Sequence, residues 1–517
     1  MYYFFPRIGS MENSNSLRIA KNTIALYGRS LIILAVSLYT SRVILSVLGV
    51  EDYGLYNVVG GIISMLGFLN NTMQATFQRY FNVAMGKDDD VRVLFRTSLT
   101  VQLLLALVVV VLGETIGLWF LSYKLVIPEG RMFAAQILYQ ITIVSFVLSV
   151  FKSPFGALII ANEKMGVYAL FSVLETLLKL VIVYVLLVTH GDKLIIYSLL
   201  TMLITITDFL LYVLFCRKKI PVTSIHFNWE KNKLRGMLSF STWATMDMLA
   251  YTLKGQGLNI VLNLFFGTVV NAARGIAAQI MNAVNQFISS FQMAFRPQLT
   301  KLYSSGDYVA AMRLYHSSTK LSFFLIFTLS LPILIETPQI LYIWLGNNVP
   351  EYTVVFTRLI LLTAFVSAFA NPTSCVVYTA GNIKLFNIVV STVNLMIVPV
   401  AYVFLKLGFG PSSAMAVSLV ITILVQVIRL IIASRITVIS LWNYTKSVVF
   451  PVVVYSALCV VAPLAINHTL SAGWLRLIVV VVMSIVSSLG FAWLVGLNSS
   501  ERRLVLSKFK GLILFKR

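Results

Sequence analysis

The sequence predicts an all-α polytopic membrane protein with about 14 transmembrane helices, and three observations support this fold class. Hydrophobic residues make up 59% of the 517 residues, whereas charged residues make up only 11%. The apolar residues form stretches about 20 residues long, which is the length that a helix needs to cross a bilayer. Most lysines and arginines lie in the gaps between these stretches. Because lipid offers no partner for unpaired backbone groups, each stretch is predicted to be a helix.

Fourteen such stretches, here called spans 1 to 14, follow one another along the chain. They cover residues 24–47, 55–80, 97–121, 133–158, 166–189, 194–216, 238–265, 270–294, 320–345, 354–378, 384–406, 412–434, 446–466 and 474–496. With the N-terminus inside, the basic residues of the outer face are only Lys124, Arg131, Lys193, Lys406 and Arg476. The other face carries several times as many, and Lys152 and Lys320 are among them. This asymmetry predicts that both termini lie in the cytoplasm.

The net charge of +22 is explained by these topology signals, which are spread along the whole chain. A nucleic-acid partner is therefore not expected, although a basic balance often indicates one. The three cysteines, Cys216, Cys375 and Cys459, fall in or at the ends of spans, so neither a disulfide framework nor a metal cluster is predicted. Residues 1–23 do not have the pattern of a cleavable signal peptide. Translation starting at Met11 rather than Met1 is an alternative.

The chain contains an internal repeat at an offset of 218 residues. The repeat pairs Gly49 with Gly267, Ile62 with Ile280, Gln74 with Gln292, Phe77 with Phe295, Asp89 with Asp307, Ser149 with Ser367, Phe151 with Phe369, Pro154 with Pro372 and Tyr184 with Tyr402. One offset holds across two separated regions and matches a proline inside the membrane, which indicates a duplication.

Each copy of the repeat contains six spans, an even number, so both copies enter the membrane in the same direction. We therefore predict two pseudo-symmetric six-helix lobes, with the working site between them. The N-terminal lobe is 1–220, the cytoplasmic linker and C-terminal lobe are 221–440, and 441–517 holds two extra helices and a tail. The tail is basic and is predicted to be an amphipathic helix on the inner leaflet.

We consider ten ionisable residues that lie within or at the margins of the spans. They are Arg29, Arg42, Lys179, Lys254, Arg274, Arg358, Glu114, Glu175, Asp208 and Asp247. Charge in hydrocarbon is unfavourable, so each is expected to face a partner or an aqueous cavity. Glu175 and Lys179 are four residues apart and are predicted to pair. Asp247 and Lys254 could each pair with a neighbouring helix.

Four arginines, Arg29, Arg42, Arg274 and Arg358, have no acidic residue three or four positions away in the same span. Interhelical partners are an alternative, but the spans hold too few acids to neutralise all four. The surplus of positive charge indicates a cavity for an anion, and the planar guanidinium group suits phosphate. Candidate substrate-binding residues are Arg42, Arg274, Arg29, Arg358, Lys254, Asn282 and Gln286.

Span 8 carries a polar stripe, which we define as Asn271, Arg274, Gln279, Asn282, Gln286, Ser289 and Arg296. These residues are mostly three or four positions apart, so they share one face of a helix. Span 2, its repeat partner, carries Asn70, Asn71, Gln74 and Gln78. Amides also join membrane helices without any ligand, but a stripe of this length favours a water-filled cleft.

Two segments resemble bacterial polysaccharide flippases of the multidrug/oligosaccharidyl-lipid/polysaccharide exporter (MOP) superfamily. They are SRVILSVLGVEDYGLYNVVGGIISML, starting at Ser41, and NAARGIAAQIMNAVNQFISSFQMAFRPQLTKLYSSGD, starting at Asn271. The resemblance covers essentially the whole chain and points to the O-antigen, capsule and exopolysaccharide branch. It implies two lobes in a V around a central cavity, and a cargo of oligosaccharide on polyprenyl pyrophosphate.

The resemblance also suggests roles for single residues. Related lipid II flippases carry a cavity-lining arginine in a Ser-Arg-Val motif near the end of the first helix. Ser41-Arg42-Val43 matches this motif, so the same role is implied for Arg42. Arg274 lies in the NAARG motif of this branch, without a role that can be transferred. The two extra helices of those flippases form a lipid groove, which spans 13 and 14 could form here.

The leading functional hypothesis is a flippase that moves a polyprenyl-pyrophosphate-linked oligosaccharide across the membrane during O-antigen, lipopolysaccharide or related polysaccharide synthesis. Asp208 and Asp247 are the candidates for ion coupling. Membrane lipid, a polysaccharide polymerase and a chain-length regulator are the expected partners, and no cofactor is expected. The alternative is a drug/cation exporter of the same superfamily, although span 1 has two arginines and no acid.

A membrane-embedded enzyme, such as a polysaccharide polymerase or ligase, is a third hypothesis. It would need an extracytoplasmic catalytic surface, whereas every predicted outer loop is short. Nor does the sequence show a nucleotide-binding loop, a set of metal ligands or a nucleophile–base spacing. We therefore expect a transporter without catalytic residues.

Overall fold

A computed structural model describes the chain over residues 8–87, 90–162, 164–220, 230–381, 383–497 and 502. Side chains before residue 32 and most of those over 231–248 lie outside this description. Within the described ranges every regular element is a helix. Eleven helical segments of this part are long and apolar enough to cross a membrane. The all-α, multi-pass membrane fold is therefore confirmed, while the number of 14 spans stays a prediction.

The chain divides into two compact units, Met1–Asn271 and Ala272–Arg517. The described helices of the first unit are α1 (Ile8–Ser64), α2 (Gly67–Lys87), α3 (Val91–Leu112), α4 (Leu118–Tyr123), α5 (Met132–Ala161), α6 (Met165–Val188), α7 (Lys193–Lys219) and α8 (Lys231–Phe266). A π-helical turn, Gly113–Gly117, joins α3 to α4. Since α8 packs against α1, α2 and α3, this unit extends past the predicted linker. The lobe boundary at residue 220 thus stays a prediction.

The helix α9 (Thr268–Ser304) begins in the first unit and continues into the second. The other described helices of the second unit are α10 (Tyr308–Ile335), α11 (Thr337–Leu345), α12 (Thr353–Ser367), α13 (Ala370–Ala380), α14 (Lys384–Leu395), α15 (Ile397–Lys406), α16 (Ser412–Ile436), α17 (Leu441–Tyr444), α18 (Phe450–Thr469) and α19 (Trp474–Phe491). π-Helical turns at Thr445–Val449 and Ala492–Gly496 extend α17 and α19.

Three predicted spans are interrupted near prolines. Span 9 continues from α10 into α11, and the break at Glu336 lies between Pro332 and Pro338. Span 10 is α12 followed by α13, and the break lies at 368–369. The ring of Pro372 clashes with the carbonyl four residues earlier, which belongs to Ala368. Gln292 Nε2 donates to this carbonyl at 3.4 Å, so the freed acceptor keeps a partner. Span 11 is likewise divided at Met396, and the residue four before Pro399 is the last of α14. The repeat partner Pro154 lies inside the uninterrupted α5.

Helix α10 begins 12 residues before the start of predicted span 9. Its N-cap is Asp307, whose side chain accepts a hydrogen bond from the backbone N–H of Ala310 at 3.0 Å. Hydropathy marks only the part of a helix that lies in lipid, whereas the cap marks where its hydrogen bonding starts. As a result Lys320, which the sequence placed at the membrane surface, is 1% exposed inside the helix.

Aromatic side chains form the cores of both units. In the first unit Phe95 of α3 meets Phe155 of α5 edge-on, with ring centroids 5.2 Å apart. In the second unit Phe324 of α10 and Tyr455 of α18 have centroids 4.3 Å apart. Large apolar side chains such as Val111 and Val188, 59% and 77% exposed, point outward. Exposed apolar surface of this kind suits contact with lipid rather than with water.

Candidate functional site

The first candidate, Arg42, lies on α1, seven residues before the bend at Gly49. Its side chain is exposed, whereas the preceding Ser41 is buried and donates from Oγ to the Leu38 carbonyl at 2.9 Å. This bond within the helix holds the serine against the backbone and leaves the arginine at the surface of α1. The side chain of Arg29, on the same helix, lies outside the described residues.

Lys254 lies on α8 and is half-buried, and the helix continues into a buried amide cluster. Asn271 Nδ2 donates to Asn259 Oδ1 at 2.7 Å, and Asn263 Nδ2 donates to Asn271 Oδ1 at 3.0 Å. Asn259 Nδ2 reaches the carbonyl of Asn57 on α1 at 3.3 Å. The cluster fastens the α8–α9 connection to α1.

This amide cluster changes the interpretation of the polar stripe. Asn271 is the first residue of the predicted stripe, yet it is 0% exposed and bonded within the cluster. It acts as a link between helices, which was the alternative for amides in the membrane. Asn259 and Asn263 were not among the sequence candidates, although their spacing of four residues places them on one helix face.

The rest of the stripe separates polar from apolar side chains on α9. Asn282 and Gln286 are exposed, and Arg274 is half-buried. On the other side Ile280 and Val284 are only 7% and 4% exposed. The helix therefore presents Asn282 and Gln286 on one face and packs its apolar face inward.

Arg358 lies near the start of α12 and is exposed. Its Nε donates to the Leu334 carbonyl at 3.2 Å, next to the end of α10. Buried Glu336 follows directly, and its carboxylate accepts from Asn467 Nδ2 at 2.7 Å and from Arg476 Nη2 at 2.9 Å. Arg358 thus lies at one end of its helix, beside a network that ties α10 to α18 and α19.

Asp208, a candidate for ion coupling, is buried on α7 and pairs with Lys152 of α5. The distance from Lys152 Nζ to Asp208 Oδ2 is 2.5 Å. The sequence had assigned Lys152 to the cytoplasmic gaps, so this partner was missed, although the residue falls inside span 4. The predicted pair on α6 is present, with Lys179 Nζ 2.6 Å from Glu175 Oε1. The side chain of Asp247, the other coupling candidate, lies outside the described residues.

Three charges from the predicted outer face also come together. Arg131, just before α5, contacts Asp52 of α1 at 2.5 Å and Asp192, the N-cap of α7, at 2.6 Å. The hydrogen bond with Asp192 raises the pKa of the Arg131 guanidinium above its ordinary value. Burial acts to raise the pKa of Asp192, but the bonds from Arg131 and from backbone N–H groups outweigh it and lower that pKa. Three segments are thus joined on one side of the first unit.

The structure distributes the candidates over both units. Arg42, Lys254 and Asp208 belong to the first unit, and Arg274, Asn282, Gln286 and Arg358 belong to the second. Within the second unit the three α9 residues share one helix, whereas Arg358 lies on another helix. Among the described residues no group of three or more histidine, cysteine or acidic side chains comes together as a metal site would require.

No protein-family model and no curated protein matches the chain. Solved structures do resemble it. The lipid II flippase MurJ in an inward closed conformation matches with a TM-score of 0.69 and 12% identity, covering 92% of this chain and 98% of that chain. A MATE structure in complex with MaL6 matches with a TM-score of 0.57 and 16% identity, covering 80% and 96%. A MOP superfamily transporter from Pyrococcus furiosus matches with a TM-score of 0.56 and 17% identity, covering 80% and 95%.

The chain shares the fold of these three structures. At these identities the likeness establishes the fold alone, and this fold agrees with the resemblance found in the sequence. The match to MurJ leaves about one residue in twelve uncovered, whereas 441–517 makes up about one residue in seven. It therefore includes at least part of the segment 441–517, which the sequence placed outside the duplication.

The candidate charges differ in their burial and in their surroundings. Both acids on α6 and α7, Glu175 and Asp208, are in ion pairs. Arg42 and Arg358 are exposed at helix surfaces. A membrane protein keeps such charges where water or an anionic group can reach them.

Proposed function

We propose that the protein is a flippase for a polyprenyl-pyrophosphate-linked oligosaccharide, moving it from the cytoplasmic to the periplasmic leaflet of the bacterial inner membrane. The fold likeness to a lipid II flippase over 92% of the chain carries this proposal. Transport would proceed by alternating access through a cationic central cavity between the lobes 1–220 and 221–440, with both termini cytoplasmic.

The chemistry of the cargo agrees with that of the candidate substrate-binding residues. A pyrophosphate is anionic and accepts paired, charge-assisted hydrogen bonds from guanidinium groups. Arg42, Arg274, Arg29, Arg358 and Lys254 would bind it, and the amides of Asn282 and Gln286 would meet the hydrated sugars. The lipid tail would stay in the membrane beside the protein. An inside-negative potential favours outward movement of an anion by roughly 2.3 kcal/mol per charge per 100 mV.

The direction and partners follow from the same proposal. Asp208 or Asp247 would carry the coupling proton or cation if the flippase is an antiporter. A polysaccharide polymerase and a chain-length regulator would receive the cargo on the far side, as O-antigen, lipopolysaccharide or a related polysaccharide is assembled. Genes for glycosyltransferases and a polymerase beside this gene would support the assignment.

Reconstitution tests the function directly. Purified protein in liposomes is given a polyprenyl-pyrophosphate oligosaccharide labelled on its sugar, and an impermeant glycosidase reports its arrival in the opposite leaflet. We expect transfer that depends on the protein and stops in the Arg42→Ala variant. The MATE neighbours motivate a drug/cation exporter as the second candidate. Transport of cationic dyes without any transfer of the lipid-linked sugar would favour that exporter and reject the flippase.

A further inference from the structure

A cavity of about 520 Å³ opens at one end of the second unit. Its wall includes Arg313, His316, Ser317 and Lys320 of α10, together with Asn443 and Ser447 from the segment that follows α16. The start of α10, the end of α16 and the end of α19 meet here, all on the side that the charge asymmetry predicts to be cytoplasmic. None of the candidate substrate-binding residues is among the described residues of its wall.

The basic residues of the wall are arranged as one face of α10. Arg313, His316 and Lys320 are spaced by three and four residues, which brings their side chains onto the same side of the helix. The described wall residues include these three bases and no acid. An anion is therefore the kind of ligand that this surface attracts.

Lys320 forms the inner end of the cavity. The residue is 1% exposed, and its Nζ donates to the carbonyl of Gly496 at 3.1 Å, where the last spanning helix ends. Lys320 therefore brings a positive charge to the buried end of the cavity. Arg313 stands at the outer end and is exposed. Positive charge thus continues from the surface to the buried end.

The neutral wall residues supply hydrogen-bond donors at the same place. Ser317 and Ser447 offer hydroxyl groups and Asn443 offers an amide. Phosphate has several acceptor oxygens. A cluster of arginine, lysine, hydroxyl and amide donors therefore makes more hydrogen bonds with phosphate than with a carboxylate or a halide. The cavity also lies at helix ends, the depth at which lipid phosphates meet a membrane protein.

We propose that this cavity binds a phosphate group, separately from the transport site. The group would come either from an anionic phospholipid of the adjacent leaflet or from soluble phosphate. The site goes beyond the proposed flippase function and does not depend on it. Because its wall is shared by α10 and the segment that follows α16, an occupied site would hold these two parts together.

The test uses the full-length protein in detergent and measures binding by calorimetry with two probes, dioctanoyl-phosphatidylglycerol and inorganic phosphate. Each probe is titrated into the wild type, Arg313→Gln and Arg217→Gln. Arg217 is the matched control, because it is an exposed arginine at the end of α7 in the other unit. We expect Arg313→Gln to weaken binding about tenfold, the effect of losing one charge-assisted bond, and Arg217→Gln to leave it unchanged.

The two probes identify the source of the phosphate. Binding of phosphatidylglycerol well above that of inorganic phosphate assigns the site to lipid, and equal binding assigns it to soluble phosphate. Lys320→Met, with its melting temperature measured alongside, should abolish binding in a folded protein. The proposal is overturned if neither probe binds the wild type, or if Arg217→Gln weakens binding as much as Arg313→Gln. Neither result bears on whether the protein transports oligosaccharides.

Discussion

Gly49 and Gly267 lie 218 residues apart and have nearly the same unusual backbone conformation. Gly49 has φ 79° and ψ 171°, and Gly267 has φ 73° and ψ −164°. The first bends α1, and the second separates α8 from α9. The repeat had paired these two glycines by offset alone. Their shared geometry supports a duplication in which each copy turns its chain at the same point.

Replacing either glycine should destabilise the protein, because this region of backbone space is almost closed to residues with a Cβ. We expect Gly49→Ala and Gly267→Ala each to lower the free energy of unfolding by roughly 1–3 kcal/mol. Thermal melting in detergent measures the change. Gly166→Ala is the control, since Gly166 lies in a helix with open space around it. Equal melting of all three variants would show that the two bends are not needed.

Cysteine labelling tests the predicted topology. The native Cys216, Cys375 and Cys459 are buried, so the labelling signal should come from an introduced cysteine. Lys218→Cys and Asn348→Cys replace exposed residues that the predicted topology places on opposite sides of the membrane. An impermeant maleimide added to intact cells should label only Asn348→Cys, and lysis should be needed for Lys218→Cys. The reverse pattern would invert the orientation and the proposed direction of transport.

Arg42 should act through both its charge and its shape. We expect Arg42→Ala to reduce surface polysaccharide about tenfold or more at normal protein level, as a lost charge-assisted bond predicts. Arg42→Lys should restore part of the export, because lysine keeps the charge but lacks the planar fork. Arg217→Ala, a change at another exposed arginine, serves as the control. Full export by Arg42→Ala would exclude this residue from the site.

The polar stripe predicts a pattern of reactivity around α9. Cysteines at Asn282 and Gln286 should react quickly with a small hydrophilic thiol reagent, while those at Ile280 and Val284 should react slowly. The reactive thiolate forms only in contact with water, and the second pair is buried. In the same assay strain, Arg274→Glu should stop export by reversing the charge offered to pyrophosphate. If all four cysteines react at the same rate and Arg274→Glu exports normally, the polar stripe serves helix packing and does not line an anion cavity.

The pair of Lys152 and Asp208 separates a structural role from a coupling role. Removing one member of a buried pair costs about 3 kcal/mol or more, so Asp208→Asn should melt well below the wild type. The Lys152 side chain is 28% exposed, so we expect the loss of stability to lie near the lower limit of this range. Lys152→Gln combined with Asp208→Asn should recover most of the stability. Proton-dependent transport by this double variant would remove Asp208 from the coupling role.

Some features of this protein follow from its sequence alone, because the bilayer imposes a simple rule on composition. An apolar stretch long enough to cross lipid has to be a helix, which made the fold class predictable. The pair of Glu175 and Lys179 was predictable as well, since both residues lie on one helix and only its periodicity was needed. The bend at Gly49 and its counterpart at Gly267 could be paired by an offset, although their geometry could not be foreseen.

Contacts between helices were decided by the tertiary structure. Lys152 looked like a loop charge until α5 and α7 brought it to Asp208, and Asn271 looked like a lining residue until α8 placed Asn259 and Asn263 beside it. Lys320 likewise counted as a surface charge until α10 proved to begin at Tyr308. Periodicity states which side chains share a face of one helix. The neighbour across that face depends on packing, and packing depends on the whole chain.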